Sequence, residues 1–450
     1  MKLFALVVFA SASMTQLQAQ DSNALPSQWT LEQCVDYAMQ HNIQLKQRQL
    51  NREQNELDIK QSEANLWPSL SFSTNHNVSW RPFNESFVNL SGGTMTQTSS
   101  EVNYNGSYGL NANWTVWNGG RNHKNVEKSK LTAELTDYST QETANSIQEQ
   151  IVQYYVQILY QTEAVRVNKE VLEASKLQRD RAKTMVDVGS LARVDLIQLE
   201  AQVSQDEYNI INAQTQLDNY KLQLKQILEL VGTEQFDIVI PQLADDNVLR
   251  PLPSKNEVYE AAINTRPEIQ SSKLSIQSAE MDIDIARRGY YPSVSLTAGI
   301  GTSNTSGVNT AFPRQWKNNL NNSIGLTISV PIFDNRQNKT NVEKAKLSKL
   351  NSELDLIDTQ QTLYREIENY WLNAQNAQQQ YVAAKTNVES MQASYELVSE
   401  QFRLGLKNIV ELTTGKNNLL LAEQQLLQSK YTALLNQAML RFYAGEGIHL

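Results

Sequence analysis

Two stretches of this 450-residue chain, residues 121–188 and 336–404, contain neither glycine nor proline. At 1.5 Å per residue, each could form a helix of about 100 Å, which is longer than an ordinary globular domain is wide. In the second stretch, apolar residues fall on alternating steps of three and four, the 3.5-residue repeat of a left-handed coiled coil. A local bundle core would account for this repeat but not for the length. The repeat is carried by Leu350, Leu354, Ile357, Tyr364, Trp371, Ala374, Tyr381, Val388, Met391, Tyr395, Val398 and Phe402.

The two stretches belong to a duplicated unit. The segment NVEKSKL at 125–131 returns as NVEKAKL at 341–347. Each stretch is followed by a glycine, Gly189 or Gly405, and the distance in sequence from the segment to its glycine is the same in both copies. Glycine readily takes the left-handed conformation that closes a helix, after which the chain can turn and return as a second helix. We therefore expect two antiparallel helical hairpins in each chain, with these glycines at the tips.

Four segments ahead of the long stretches alternate between apolar and small polar residues. A period of two indicates half-buried β-strands, and a soluble sandwich could show it too. Lengths of about ten residues, aromatic residues at the strand ends and prolines at entries or exits favour a transmembrane barrel with a wet interior. The segments are Ser69–Thr74, Tyr108–Trp117, Ser293–Gly301 and Ser323–Phe333, with polar loops expected over 78–103 and 302–321.

Four strands from one chain cannot close a barrel. In hydrocarbon, an open sheet edge leaves unpaired backbone groups that cost several kcal/mol each, so the strands must be shared among chains. Two chains would give eight strands around a filled lumen, whereas three would give twelve strands with room for a pore. The strand pattern therefore requires an oligomer.

The N-terminus predicts export from the cytoplasm. Lys2 is followed by the apolar run LFALVVFASA and then by small and polar residues. This run is too short to span a bilayer permanently and has the features of a secretory signal peptide over residues 1–19. The chain as a whole is polar on average, with a mean hydropathy of −0.48, which excludes a conventional helical membrane protein.

Charge and residue types exclude further classes of protein. A net charge of −9 argues against nucleic acid as a partner. Cys34 is the only cysteine, so it cannot form an intrachain disulfide. The histidines have no spacing that would gather metal ligands, so no metal site is expected. They are His41, His76, His123 and His449.

The order of these elements resembles that of the TolC-like outer-membrane channel proteins of multidrug efflux and type I secretion. The resemblance covers nearly the whole chain after the signal peptide, and the order of elements is more specific than any one motif. The motifs are WTLEQCVDYAMQHN at 29–42, VGS at 188–190, PIFDNR at 331–336, RLGLKNIVEL at 403–412 and NQAMLRFYAG at 436–445.

The resemblance implies a mainly α protein with a membrane β part. A homotrimer would form a twelve-stranded transmembrane β-barrel, with four strands from each chain, continued by a coiled-coil α-helical tunnel. The barrel would contact lipid in the outer membrane of a Gram-negative bacterium, and the tunnel would extend into the periplasm. The assembly would be a passive exit duct, and its partners would be a periplasmic adaptor protein and an inner-membrane pump.

The resemblance also divides the chain into two structural repeats. Residues 20–231 and 254–450 would each contain a helix, two strands and a helical hairpin, and residues 232–253 would form an equatorial connector between them. The expected helices cover 30–66, 120–188, 192–231, 254–264, 267–289, 336–404 and 408–443.

The resemblance places a gate at the periplasmic end. In the family, an acidic residue beyond the first tip glycine pairs with a basic residue two positions after the second, and these positions hold Asp195 and Lys407. Phe402 stands where an aromatic residue supports this latch, but it lacks the hydroxyl of a tyrosine. Glu411 matches the first of two acids that constrict the pore, whereas Thr414 replaces the second, which implies a weaker preference for cations.

Other interpretations remain open for these residues and for the chain. Charges near helix ends, such as those of Asp195, Lys407 and Glu411, stabilise helices by some tenths of a kcal/mol without any gate. By the same resemblance, the tips with Gly189 and Gly405 would dock the adaptor.

The alternative function is that of a trimeric coiled-coil surface protein or adhesin without a transport role. Since no GxSxG, P-loop or HExxH motif occurs, neither enzymatic activity nor a cofactor is expected.

Overall fold

A computed structural model of the chain describes residues 26–90, 93–232, 236–241, 245–306 and 310–448. The predicted signal peptide lies outside these residues. No helix in this described part combines the length and the apolar character needed to cross a membrane. The helices are α1 (Leu31–His41), α2 (Ile43–Ala64), α3 (Arg121–Asp187), α4 (Arg193–Ile227), α5 (Asp245–Val248), α6 (Lys255–Thr265), α7 (Pro267–Arg287), α8 (Phe312–Asn318), α9 (Gln337–Arg403) and α10 (Ile409–Tyr443).

The two long helices form as the sequence predicts. Helices α3 and α9 each contain 67 residues, and the returning helices α4 and α10 each contain 35. The helices pack as one layer, in which α3 and α9 run the full length. Near the sheet the order across this layer is α2, α3, α7, α9, and toward the tips it is α4, α3, α10, α9. Helices α2 and α4 thus form one margin of the layer, and α9 forms the other.

Each long helix ends in a glycine turn that satisfies its last carbonyl groups. Gly189 and Gly405 adopt φ of +77° and +75°. The glycine N–H donates to the carbonyl three residues back, and the next N–H donates to the carbonyl five back, at distances of 2.8–2.9 Å in both turns. This is the Schellman pattern, and it allows α4 and α10 to begin four residues after the glycine.

A four-stranded antiparallel sheet precedes the long helices. Its strands are β2 (Ser69–Leu90), β3 (Gly93–Trp117), β5 (Ser293–Thr305) and β6 (Asn321–Ser329), in the order β2-β3-β5-β6. Strands β2 and β6 therefore lie at the two edges. The remaining strands, β1 (Gln28–Trp29) and β4 (Asp237–Ile238), form a separate parallel pair.

The prediction of a loop over residues 78–103 is wrong for most of this segment. Strands β2 and β3 continue through it as a paired ladder as far as Leu90 and Gly93, with one irregularity between Arg81 and Asn84. The polar composition of this segment favours a loop. The backbone groups of each strand nevertheless form hydrogen bonds with the facing strand, and cross-strand pairing of this kind overrides a polar composition.

The second predicted loop, over 302–321, also contains regular structure. Strand β5 extends to Thr305, and α8 follows within the segment. The buried Gln315 side chain accepts a hydrogen bond from Thr305 N at 2.8 Å and donates one to Thr305 O at 3.1 Å, which ties α8 to the strand. Strand β6 ends at Ser329 rather than at Phe333, because Pro331 has no N–H for a ladder.

The first predicted helix, over 30–66, divides into α1 and α2 at Asn42. The Asn42 backbone is extended, at φ −61° and ψ 130°, and its side chain accepts a hydrogen bond from Gln44 N at 2.9 Å. The side-chain amide also donates to Ile227 O at the end of α4, at 3.1 Å. Asn42 therefore caps the second helix and fixes the bend against the first hairpin.

The main hydrophobic core lies among α1, α3, α4, α6, α9 and α10, near the predicted connector. The connector contributes β4, which pairs with β1, and α5. Tyr155 on α3 donates to Val239 O at 2.7 Å, and Gln378 on α9 and Gln437 on α10 donate to Val248 O at 2.9 and 2.6 Å. These contacts attach the predicted connector to helices of both predicted repeats.

Replacement of either tip glycine by alanine should weaken the helical hairpins. A Cβ at Gly189 or Gly405 would meet no atom within 4 Å, so the cost comes only from the left-handed backbone and should be about 1–2 kcal/mol. Urea unfolding followed by helical circular dichroism measures it. Gly415 is the matched control, because it lies within α10 with a Cβ site 3.7 Å from Tyr395, and Gly415→Ala should leave stability unchanged or raise it. Equal losses at all three positions would contradict this account.

Candidate functional site at the hairpin tips

A small hydrophobic cluster, hereafter the tip cluster, joins the two hairpins near their tips. Its buried members come from both hairpins, and partly buried side chains pack around them. Burial of each large member contributes about 1.5–3 kcal/mol, so the cluster holds the two tips together. The buried members are Ala182, Leu199, Ile409 and Leu412, and the partly buried ones are Leu191, Leu196, Tyr395, Val398 and Phe402.

The predicted gate residues Lys407 and Glu411 form an ion pair within one chain. The Lys407 ammonium contacts the Glu411 carboxylate one turn along α10. Asn408 caps the same helix, with its side chain accepting from Glu411 N at 2.9 Å and its own N–H donating to the Glu411 carboxylate at 3.2 Å. The hydrogen bonds from Lys407 and then from Asn408 N lower the pKa of the Glu411 carboxyl below its usual value.

Asp195 lies in the first turn of α4, where an acidic residue suits the positive end of the helix dipole. Its backbone N–H donates to Ala192 O at 3.1 Å. In the described part of a single chain, Lys407 pairs with Glu411 and not with Asp195. The latch between Asp195 and Lys407 therefore stays a prediction.

Phe402 and Thr414 make the contacts that an apolar and an uncharged polar side chain allow at these positions. Phe402 packs against the tip cluster and thus contributes apolar contact where a tyrosine would add a hydroxyl. Thr414 is exposed, and its hydroxyl donates to Val410 O at 2.8 Å within α10. Since this side chain carries no charge, Glu411 supplies the carboxylate on this turn of the helix.

A buried polar cluster above the tip cluster was not predicted from the sequence. Lys416 on α10, Asp206 on α4 and Ser175 on α3 meet there, at positions where the neighbouring buried residues of α4 and α10 are apolar. The signal was present, because Lys416 and Asp206 continue the three-and-four spacing of buried residues in their helices. A charged residue at a core position of a coiled coil marks a specific contact.

The site is built from charge pairs and apolar packing contacts. Among the described residues, no group of three or more His, Cys, Asp and Glu side chains could hold a metal ion. Two long helical hairpins that meet near their tips, with a sheet whose two edges are unpaired among the described residues, define a channel-forming protein of the outer membrane.

Comparison with known proteins identifies the family. The family model described as outer membrane efflux protein matches residues 34–229 and 258–446. The chain therefore belongs to the outer membrane efflux protein family, and it is an exit duct of the outer membrane that extends into the periplasm. This confirms the predicted resemblance and the predicted localisation. The family consists of channels, and its members support the duct rather than the surface-protein alternative.

Individual relatives agree over most of the chain. The outer membrane protein TolC of Salmonella enteritidis is 25% identical over 371 residues, which cover 75% of this chain and 73% of TolC. The cation efflux system protein CusC of Escherichia coli (strain K12) is 22% identical over 420 residues, which cover 92% of this chain and 86% of CusC. A crystal structure of CusC superposes with a TM-score of 0.74 at 20% identity, over 93% of this chain and 92% of that chain. The predicted fold class is thus confirmed.

The charge state of Glu411 should depend on Lys407. Because Lys407 lowers the pKa of Glu411, the carboxylate stays ionised as the pH falls through the usual glutamate value of about 4.3. In Lys407→Met, Glu411 should protonate at higher pH, and the cation preference that the resemblance predicts for its carboxylate should be lost at a higher pH. Reversal potentials across planar bilayers at stepped pH measure this, with Glu411→Gln as the variant in which the titration is absent. An unchanged pH profile in Lys407→Met would refute the coupling.

Proposed function

We propose that three copies of this chain close a twelve-stranded barrel and a continuous helical tunnel, which conducts cargo from an inner-membrane pump and a periplasmic adaptor to the outside. The proposal is carried by one observation on the described residues of a single chain. The sheet ends in the unpaired strands β2 and β6, and the helical layer ends in unpaired margins on the same two sides. This proposal rests on the family to which the chain belongs and on the contacts that a single chain leaves unsatisfied.

The sheet edges favour closure by neighbouring copies. Strand β6 of one chain would pair with β2 of the next, and three repetitions of this contact give twelve strands. An unpaired edge in hydrocarbon costs several kcal/mol for each backbone group, so a closed ring is strongly favoured. Alternate side chains of β6, such as Ile324 at 84% exposure, form an apolar face suited to outer-membrane lipid.

The helix margins show the same incompleteness. Leucines and isoleucines at seven-residue or three-and-four spacing on α2 and α9 are about half exposed or more in a single chain, whereas Leu363 and Ile367 further along α9 are fully buried. Exposed apolar stripes of this length are typical of a subunit interface. The residues are Ile43, Leu50 and Leu57 on α2 and Leu347, Leu350, Leu354 and Ile357 on α9.

The hairpin tips are the proposed contact with the adaptor. Gly189 and Gly405 turn the chain without any atom within 4 Å of their Cβ sites, so the turns project freely. Beside them, Val188, Leu404 and Leu406 are all more than half exposed. An apolar ring of such tips would suit a partner with apolar hairpin tips of its own.

In the proposed mechanism, the choice of cargo is determined by the pump and not by this chain. A passive duct conducts what the pump delivers, and CusC by its name serves cation efflux. The residues at the tips control passage rather than chemistry. Asp195, Lys407 and Glu411 would regulate the aperture, with Phe402 supporting them from the tip cluster.

An acidic substitution in the α9 stripe should prevent assembly. Leu350→Glu would place a charge in an apolar helix interface and should reduce the detergent-stable oligomer strongly, because one face of every subunit contact is affected. Sucrose-gradient isolation of outer membranes followed by native electrophoresis measures it. Val231→Glu is the control, since Val231 is fully exposed and lies outside the stripes. Full recovery of oligomer in Leu350→Glu would refute the proposed interface.

The latch predicts a change in conductance. In an Asp195→Ala, Lys407→Ala double variant, single-channel conductance and the passage of large antibiotics should rise, because a closing contact is lost. Lys124→Ala is the control, since Lys124 forms a comparable exposed ion pair with Glu127 at the opposite end of α3. Unchanged conductance and passage in the double variant would show that the latch assignment is wrong while leaving the duct intact.

A further inference from the structure

Three polar side chains are buried together between the two hairpins. On α10, Lys416 Nζ lies 2.6 Å from Asp206 Oδ2 on α4 and 2.8 Å from Ser175 Oγ on α3. Ser175 Oγ donates to the same carboxylate oxygen at 2.5 Å, and Gln202 Nε2 donates to the other at 2.9 Å. Ser175, Asp206 and Lys416 are 1%, 2% and 4% exposed. These three residues are hereafter the buried joint.

The buried joint occupies positions that packing alone would give to apolar residues. A charge at such a position costs stability, because its desolvation is only partly offset by its partner. What it provides in coiled coils is a fixed register and a fixed choice of neighbouring helix. The spacing that places these residues in the core is Ile409, Leu412, Lys416 and Leu419 on α10, and Leu199, Val203 and Asp206 on α4.

The position of the buried joint relates it to the gate. Lys416 follows Glu411 by five residues, or about 8 Å along α10, and the buried members of the tip cluster lie between the joint and the tips. A second polar contact crosses the hairpins at this level, where Gln178 on α3 donates to the Tyr395 hydroxyl on α9 at 2.6 Å. All four helices of the two hairpins are thus connected by polar contacts immediately above the tips.

We propose that the buried joint fixes the register of α10 against α3 and α4, and so positions Lys407 and Glu411 for closure of the aperture. Asp206 and Lys416 are positioning residues, since they act on the gate through the helix that carries it. The inference rests on the proposed function, because a closed aperture has meaning only in a duct.

The charges explain why this register is specific. A shift of α10 by one turn would separate Lys416 from Asp206 and leave both without a counter-charge inside the layer. Burial lowers the pKa of the Lys416 ammonium, while the hydrogen bond and charge of Asp206 act against this. The apolar contacts of the tip cluster would tolerate such a shift more readily, since apolar packing is not directional.

Single-channel recording from the purified oligomer in planar bilayers tests the proposal. Lys416→Met and Asp206→Asn each leave one buried charge without its partner, and each should raise the closed-state conductance several-fold. The double variant Asp206→Asn, Lys416→Met leaves no unpaired charge, so its conductance should lie closer to that of the unmodified protein than either single variant. Strictly additive effects would show that the two side chains do not act together and would overturn the proposal.

Arg266→Met is the matched control. Arg266 is another buried cation, paired with Glu149 and Glu268 at 3.2 and 2.8 Å, but it stands at the start of α7, far from the tips. This variant should lose stability without a rise in conductance. An equal rise in Arg266→Met would mean that general loosening, and not the buried joint, opens the pore.

The outcomes separate this inference from the proposed function. If the unmodified oligomer forms no channels at all, the proposed function fails. If it conducts and both single variants conduct identically while remaining oligomeric, the positioning role fails. Should Lys416→Met not assemble, Asp206→Asn decides by the same criterion, because it preserves the volume of the side chain.

Discussion

Backbone hydrogen bonding at the sheet edges governs the assembly of this protein. In the described part of one chain, β2 and β6 each present a row of groups that no strand of the same sheet satisfies, and hydrocarbon offers no water in their place. The helical layer has margins at α2 and α4 on one side and α9 on the other. Because each strand pair leads directly into a long helix, a single rotation between copies can satisfy the strand edges and the helix margins together.

The sequence predicted the helical part of the fold closely. Helices α3 and α9 begin and end within one residue of the predicted limits, because glycine stops are local signals and the 3.5-residue repeat is long. It failed where tertiary pairing decides the structure. The arms of β2 and β3 are polar yet paired, α8 depends on the side chain of Gln315, and the bend at Asn42 depends on a contact with Ile227 in a distant part of the sequence.

The candidate site was predictable only in part. Glycine positions and helix-end charges can be read from local sequence, but the pairing of Lys407 with Glu411 within one chain was not predicted. The contact between Asp206 and Lys416 could not be predicted from either helix alone, since it depends on how α4 and α10 are aligned around α3. Two charges at core positions of different helices suggest a pair only after the packing of those helices is known.

The equal lengths of the duplicated helices restrict how this chain can change over time. Helices α3 and α9 match in length, as do α4 and α10. Insertion of one residue into a single copy would displace that tip by about 1.5 Å and rotate everything beyond it by about 100°. The apolar stripe beyond the insertion would then no longer face the neighbouring helix. Length changes are therefore tolerated only in whole heptads or in compensating pairs on both helices of a hairpin. The side chains of the two repeats can diverge, but the lengths of their helices must stay equal.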